Sequence, residues 1–123
     1  MLRVILLSVI LCLPGCATTR YEPLAETPDE EIVQLTDSTF RVEYRVSPFT
    51  SQEVLDDFLR MRCAEVTLQH GYDYFAMTEK FIVLTYNRRA SVTLRMFKGP
   101  KSTGPLVLYD PKDVLGLVNP VTP

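Results

Sequence analysis

The chain has 123 residues, 46% hydrophobic and 23% charged, enough for one compact domain with its own core and no second one. A formal net charge of -2 leaves no broad basic field for a phosphate backbone, so nucleic acid is not expected as a partner. The two local basic pairs, Arg60/Arg62 and Arg88/Arg89, do not change that balance.

The first sixteen residues read MLRVILLSVILCLPGC: one positive charge at Arg3, an apolar run from Val4 to Leu13, then Pro14-Gly15-Cys16. That is the layout of a secretory signal peptide. The apolar run is about ten residues long, short of the roughly twenty a helix needs to cross a bilayer. Residues 1–15 are therefore expected to be removed. A small residue followed at once by cysteine resembles the bacterial lipobox, in which the cysteine is acylated and becomes the first residue of the mature chain. The resemblance implies a membrane partnership through a lipid on Cys16. Each buried methylene contributes about 0.8 kcal/mol, so two or three acyl chains hold durably where one does not. Ala17 after the cysteine, in place of an aspartate, implies the periplasmic leaflet of the outer membrane.

With Cys12 removed and Cys16 acylated, the mature chain keeps one thiol, Cys63, and no internal disulfide. An unpaired thiol in an oxidising compartment is expected to be buried, where it packs as a small hydrophobe. Residues 16–37 mix Thr, Pro and acidic side chains without a sustained apolar period. They read as the anchor and a flexible tether, with Asp29-Glu30-Glu31 a solvated charge run.

A single α+β domain is expected over 38–118, followed by a tail at 119–123. It opens with TFRVEYRV, where Phe40, Val42, Tyr44 and Val46 alternate with Arg41, Glu43 and Arg45, the period of a strand with one buried face. Thr50 and Glu53 form a capping-box pattern, with Phe49 and Val54 as the hydrophobic staple, so a long helix is expected over about 51–70. His70 suits the negative end of its dipole, and Gly71 stops it. Strands follow at 72–78 and 80–86, a turn at Asn87 and Arg88, and a strand at 90–97. Leu106–Tyr109 reads as a further short strand. Asp110 then caps a short C-terminal helix at about 111–118 with Pro111 in its first turn. The whole is an antiparallel sheet of about four strands with the long helix packed on one face.

On a helical wheel, Glu53, Asp56, Asp57, Arg60 and Thr67 gather on one arc, but Arg62 and Glu65 fall among the apolar residues. They are three apart, hence neighbours on the helix, and a charge on a dry face requires a partner. They are expected to form a structural polar pair, bonded to each other or to groups of the strands beside the helix. The alternative is that their long stems reach the edge of the face. The role assigned to them is helix register rather than chemistry.

The run FRVEYRV, then TSQEVLDDFLRMRCAEVTLQHGYDYF, then LYDPKDVLGLV, resembles a family of short, uncharacterised proteobacterial lipoproteins. Its most specific part here is Arg62, Ala64, Glu65, Thr67, Gly71, Tyr72, Asp73, Tyr74 and Phe75. Cys63 stands where that family commonly has alanine, and Ser47-Pro48-Phe49 replaces a Gly-Asn loop. The resemblance implies an envelope location and carries no established activity.

No catalytic, metal or cofactor site is expected. Cys63 and His70 share a helix face but lie seven residues apart, about 10.5 Å along the axis, too far for a nucleophile–base pair. One His and one buried Cys do not make a transition-metal site. Tyr44, Tyr74 and Tyr86 could line a groove for a small apolar ligand or peptide between helix and sheet. That is the alternative to the main expectation, a non-enzymatic, lipid-anchored periplasmic module with an envelope protein partner.

Overall fold

The computed structural model describes residues 20–101 and 103–117. The fold is α+β: a four-stranded antiparallel sheet of order β1-β2-β4-β3, with β1 Ile32–Thr36, β2 Thr39–Arg45, β3 Tyr74–Val83 and β4 Arg89–Phe97. Helix α1, Gln52–Gln69, lies across one face, and the short α2, Pro111–Val114, packs beside it. Phe40, Val42 and Tyr44 of β2 face α1 together with Ala90, Val92, Leu94 and Met96 of β4. From the helix come Leu55, Leu59, Cys63 and Val66, all fully buried.

The ends of α1 follow local chemistry. Ser51 is the N-cap, its Oγ accepting from the Val54 amide at 3.2 Å. At the other end Gly71 takes φ 76°, open to glycine at little cost. Its N–H donates to the Leu68 carbonyl and that of Tyr72 to the Thr67 carbonyl, both at 3.0 Å, which is a Schellman stop. Because the cap is Ser51, the residue before it is Thr50, which is buried, and Phe49 is 94% exposed. The expected Phe49–Val54 staple is therefore not made.

Three further expectations are corrected. The strands expected at 72–78 and 80–86 are one strand, β3 at Tyr74–Val83, which runs through a register shift between Thr78 and Phe81, where Glu79 adopts φ 50°. The bulge bends the strand without ending it. Leu106–Tyr109 contributes only a bridge from Tyr109 to Phe75. Helix α2 ends at Val114, with Gly116 at φ 69°, and position 118 lies outside the described residues.

The largest difference concerns the segment expected to be a tether. From Arg20 onward it is packed against the domain. It makes two 3-10 turns, Leu24–Glu26 and Asp29–Glu31, then β1, which joins β2 through a tight turn at Asp37 and Ser38. Tyr21, Leu24 and Ile32 pack on the core. The domain thus includes residues 20–37, and residues 1–19 lie outside the described residues.

Candidate functional site: a buried arginine cluster

Arg62 sits on the buried face of α1, one turn from Leu59 and Val66, with its side chain 1% exposed. Its Nη1 donates to Glu31 Oε1 at 2.6 Å and to the Glu43 carbonyl of β2 at 2.7 Å. Nη2 lies 3.9 Å from Glu22 Oε1, and Cζ stands 4.1 Å from the centroid of the Tyr44 ring. The guanidinium is thus held by an ion pair, a backbone acceptor and a ring face, the combination that lets a charge be desolvated. Glu31 also faces Arg45, whose Nε is 4.0 Å away and bonds Glu43 at 2.6 Å.

Glu65 is engaged separately. Its Oε1 accepts from the Tyr21 hydroxyl. The Tyr21 ring stacks on Tyr44, 5.7 Å between centroids and 12° between planes, and Phe58 closes the group at 5.6 Å. The Glu22 amide donates to the Tyr44 hydroxyl at 2.7 Å. Arg62 and Glu65 are therefore not paired with each other: among the described residues no ion pair joins them. Arg62 does reach a strand group, the Glu43 carbonyl, but its charged partners and the partner of Glu65 come from residues 21–31.

Sequence pattern does not reveal those partners. Glu31 belongs to a run with the composition of a solvated face, yet it is 9% exposed. The one local signal is Asp37-Ser38 between two apolar-rich runs, a hairpin pattern that draws residues 32–36 into the sheet. Thr67 departs from its place on the polar arc of the wheel. It is fully buried, its Oγ1 donating to the Cys63 carbonyl at 2.8 Å, which satisfies the hydroxyl within the helix.

The chemistry open to this cluster is narrow. Burial, reinforced by the bond to Glu65, holds the Tyr21 phenol protonated far above its ordinary range. Burial also raises the Tyr44 phenol, with the Glu22 amide and Arg62 opposing it. The Cys63 thiol is pushed well up by burial, against the pull of Arg62 and Arg60, so the nucleophilic thiolate is disfavoured. His70 caps α1, Nδ1 3.0 Å from the Val66 carbonyl, its ring against Phe40. The Arg62–Glu31 ion pair and the Tyr21–Glu65 hydrogen bond fasten the N-terminal segment to α1. Among the described residues no group of three or more His, Cys, Asp or Glu could hold a metal ion.

The three tyrosines expected to line a groove are not brought together. Tyr44 is buried under Tyr21, Tyr74 is half-buried at the start of β3, and Tyr86 is 74% exposed in the β3–β4 loop. Between helix and sheet the space is filled by Leu55, Leu59, Cys63, Val92 and Leu94. An open depression lies elsewhere, on the outer side of α1 between Leu24, Leu68 and Leu117.

The fold defines the chain's class as a small two-layer α+β domain. Comparison with protein-family models, curated proteins and solved structures returns no match. No helix among the described residues is long and apolar enough to cross a membrane.

Proposed function

We propose that this chain is a lipid-anchored periplasmic module of the cell envelope, held to the outer membrane through an acylated Cys16, and that it acts through contact with an envelope protein rather than by catalysis. The observation that carries the reading is the N-terminal sequence: a short apolar run preceded by one arginine, then Pro14-Gly15-Cys16 and polar residues. The resemblance of Arg62-Cys63-Ala64-Glu65 and Gly71-Tyr72-Asp73-Tyr74-Phe75 to an envelope lipoprotein family supports the same address. The non-enzymatic part rests on chemistry: Cys63 is buried and protonated, and the sole His caps a helix.

The test is metabolic labelling with palmitate, with mass analysis of the mature N-terminus and membrane fractionation. Wild-type protein is expected to carry label at residue 16 and sediment with outer membranes. A Cys16→Ser chain should carry none. Unlabelled wild-type protein, or a Cys16→Ser chain that still fractionates as an acylated one, would overturn the reading.

A further inference from the structure

Docking of residues 20–37 onto the domain leaves little chain between the fold and Cys16. Arg20 lines one cleft with Tyr44, Val46 and Ser47, at the end of the sheet where β2 leaves for α1. Cys16 precedes it by four residues, and four residues fully extended span at most about 14 Å. The far end of the domain, at Gly71, lies a helix length away, about 27 Å for eighteen residues. A lipid on Cys16 would hold the near end against the bilayer.

That end presents apolar side chains that the fold does not use. Phe49 in the β2–α1 loop is 94% exposed, and in the β3–β4 loop Tyr86 is 74% and Leu84 45% exposed. Both loops are fastened into one surface. Arg88 Nη1 donates to the Thr50 carbonyl at 2.7 Å, and the Val46 amide donates to the Arg88 carbonyl at 2.9 Å. Arg20 and Arg89 stand at the same end, neither in an ion pair among the described residues. Aromatic and aliphatic tips edged by arginine suit the boundary between acyl chains and phosphate headgroups.

We propose that this end of the domain is a membrane-docking surface whose occupant is the phospholipid bilayer beside the anchor. Phe49, Leu84 and Tyr86 enter the headgroup–acyl boundary, and Arg20 and Arg89 meet lipid phosphates. The inference rests on acylation of Cys16. It adds an orientation: the Gly71 end of the domain points away from the membrane.

The chain contains no tryptophan, so a single introduced indole reports cleanly. Mature lipidated protein carrying Phe49→Trp, Tyr86→Trp or, at a distant exposed site, Val107→Trp is reconstituted into vesicles of phosphatidylethanolamine and phosphatidylglycerol. Lipids brominated on the upper acyl chain serve as quencher. Burial to a depth of about 5–10 Å should quench the indole at position 49 or 86 about twofold or more and leave the one at position 107 unquenched. Acylated protein in which the indoles at positions 49 and 86 respond no more than the one at 107 would overturn the orientation while leaving the anchor intact. Crosslinking of position 49 to a protein in intact envelopes, without lipid quenching, would replace the bilayer by a protein occupant and also overturn it. Mass analysis showing Cys16 unacylated would overturn the anchoring and this proposal together.

Discussion

Helix α1 is buried in two different ways along one face. Toward β2 and β4 it sets Leu55, Leu59, Cys63 and Val66 into an apolar floor. Toward the N-terminal segment it offers Arg62 and Glu65, met by Glu31, Glu22 and Tyr21. The floor is stabilised in proportion to the apolar area removed from water, and any neighbour of suitable shape will serve. The polar seam has no such tolerance, because each buried charge must find a specific acceptor or donor. One surface therefore holds the sheet, and the other selects the strap that crosses it.

Deleting residues 20–37 should separate the two most sharply. The deletion removes β1, the Tyr21 ring and both carboxylates around Arg62, and the chain is expected to lose its cooperative thermal transition by circular dichroism. A transition kept within a few degrees would mean that the floor alone suffices.

Single substitutions sharpen the contrast. Glu31→Ala leaves the Arg62 guanidinium buried without its closest charge and should cost about 3–5 kcal/mol in urea unfolding. Leu59→Ala, in the floor, should cost about 2–5 kcal/mol through lost burial and a cavity. The distinction lies in rescue: Glu31→Leu with Arg62→Met should recover most of the loss, since an apolar replacement of both partners removes the desolvation penalty as well as the bond. If the double variant is as unstable as either single, the seam is specified by more than its charges.

Smaller effects are expected at Glu65. Glu65→Ala strands the Tyr21 hydroxyl and should destabilise by about 1–3 kcal/mol, with Tyr21→Phe largely abolishing the further effect. An unchanged melting temperature for Glu65→Ala would remove that residue from the seam.

The smallest effect is a pH slope from the floor. Cys63 is held protonated in the folded chain, whereas the unfolded thiol ionises near its ordinary 9.0. The unfolded state thus binds fewer protons above that pH, and stability falls as pH rises, by at most about 1.4 kcal/mol per pH unit from this group. Tyr21 and Tyr44, also raised, add the same sign above about pH 10. Cys63→Ala should flatten the profile between about pH 9 and 10; an equally steep profile in that variant would place the slope elsewhere.

What is legible in the chain, and what is not, divides along the same line. Strand β2, helix α1 and its glycine stop, and strand β4 are legible because apolar period and cap residues are local: TFRVEYRV alternates, and Gly71 stands where a left-handed residue is needed. The break expected between two strands at 79 coincides with the bulge at Glu79, a local irregularity whose continuity only cross-strand pairing with β4 supplies. The staple pattern gives Phe49 a partner if Thr50 is the cap. The chain caps at Ser51 instead, and one position of shift sends the ring into solvent.

The sequence by itself determined the layers, the organising helix, the burial of Cys63 and the anomaly of two charges on a dry face. Only the tertiary structure decided who answers those charges, and it drew the answer from a proline- and acid-rich stretch with no periodicity of its own. Apolar burial is written as a repeat along the chain, but a buried ion pair is written as two single residues, here thirty-one positions apart, and nothing local marks them as a pair.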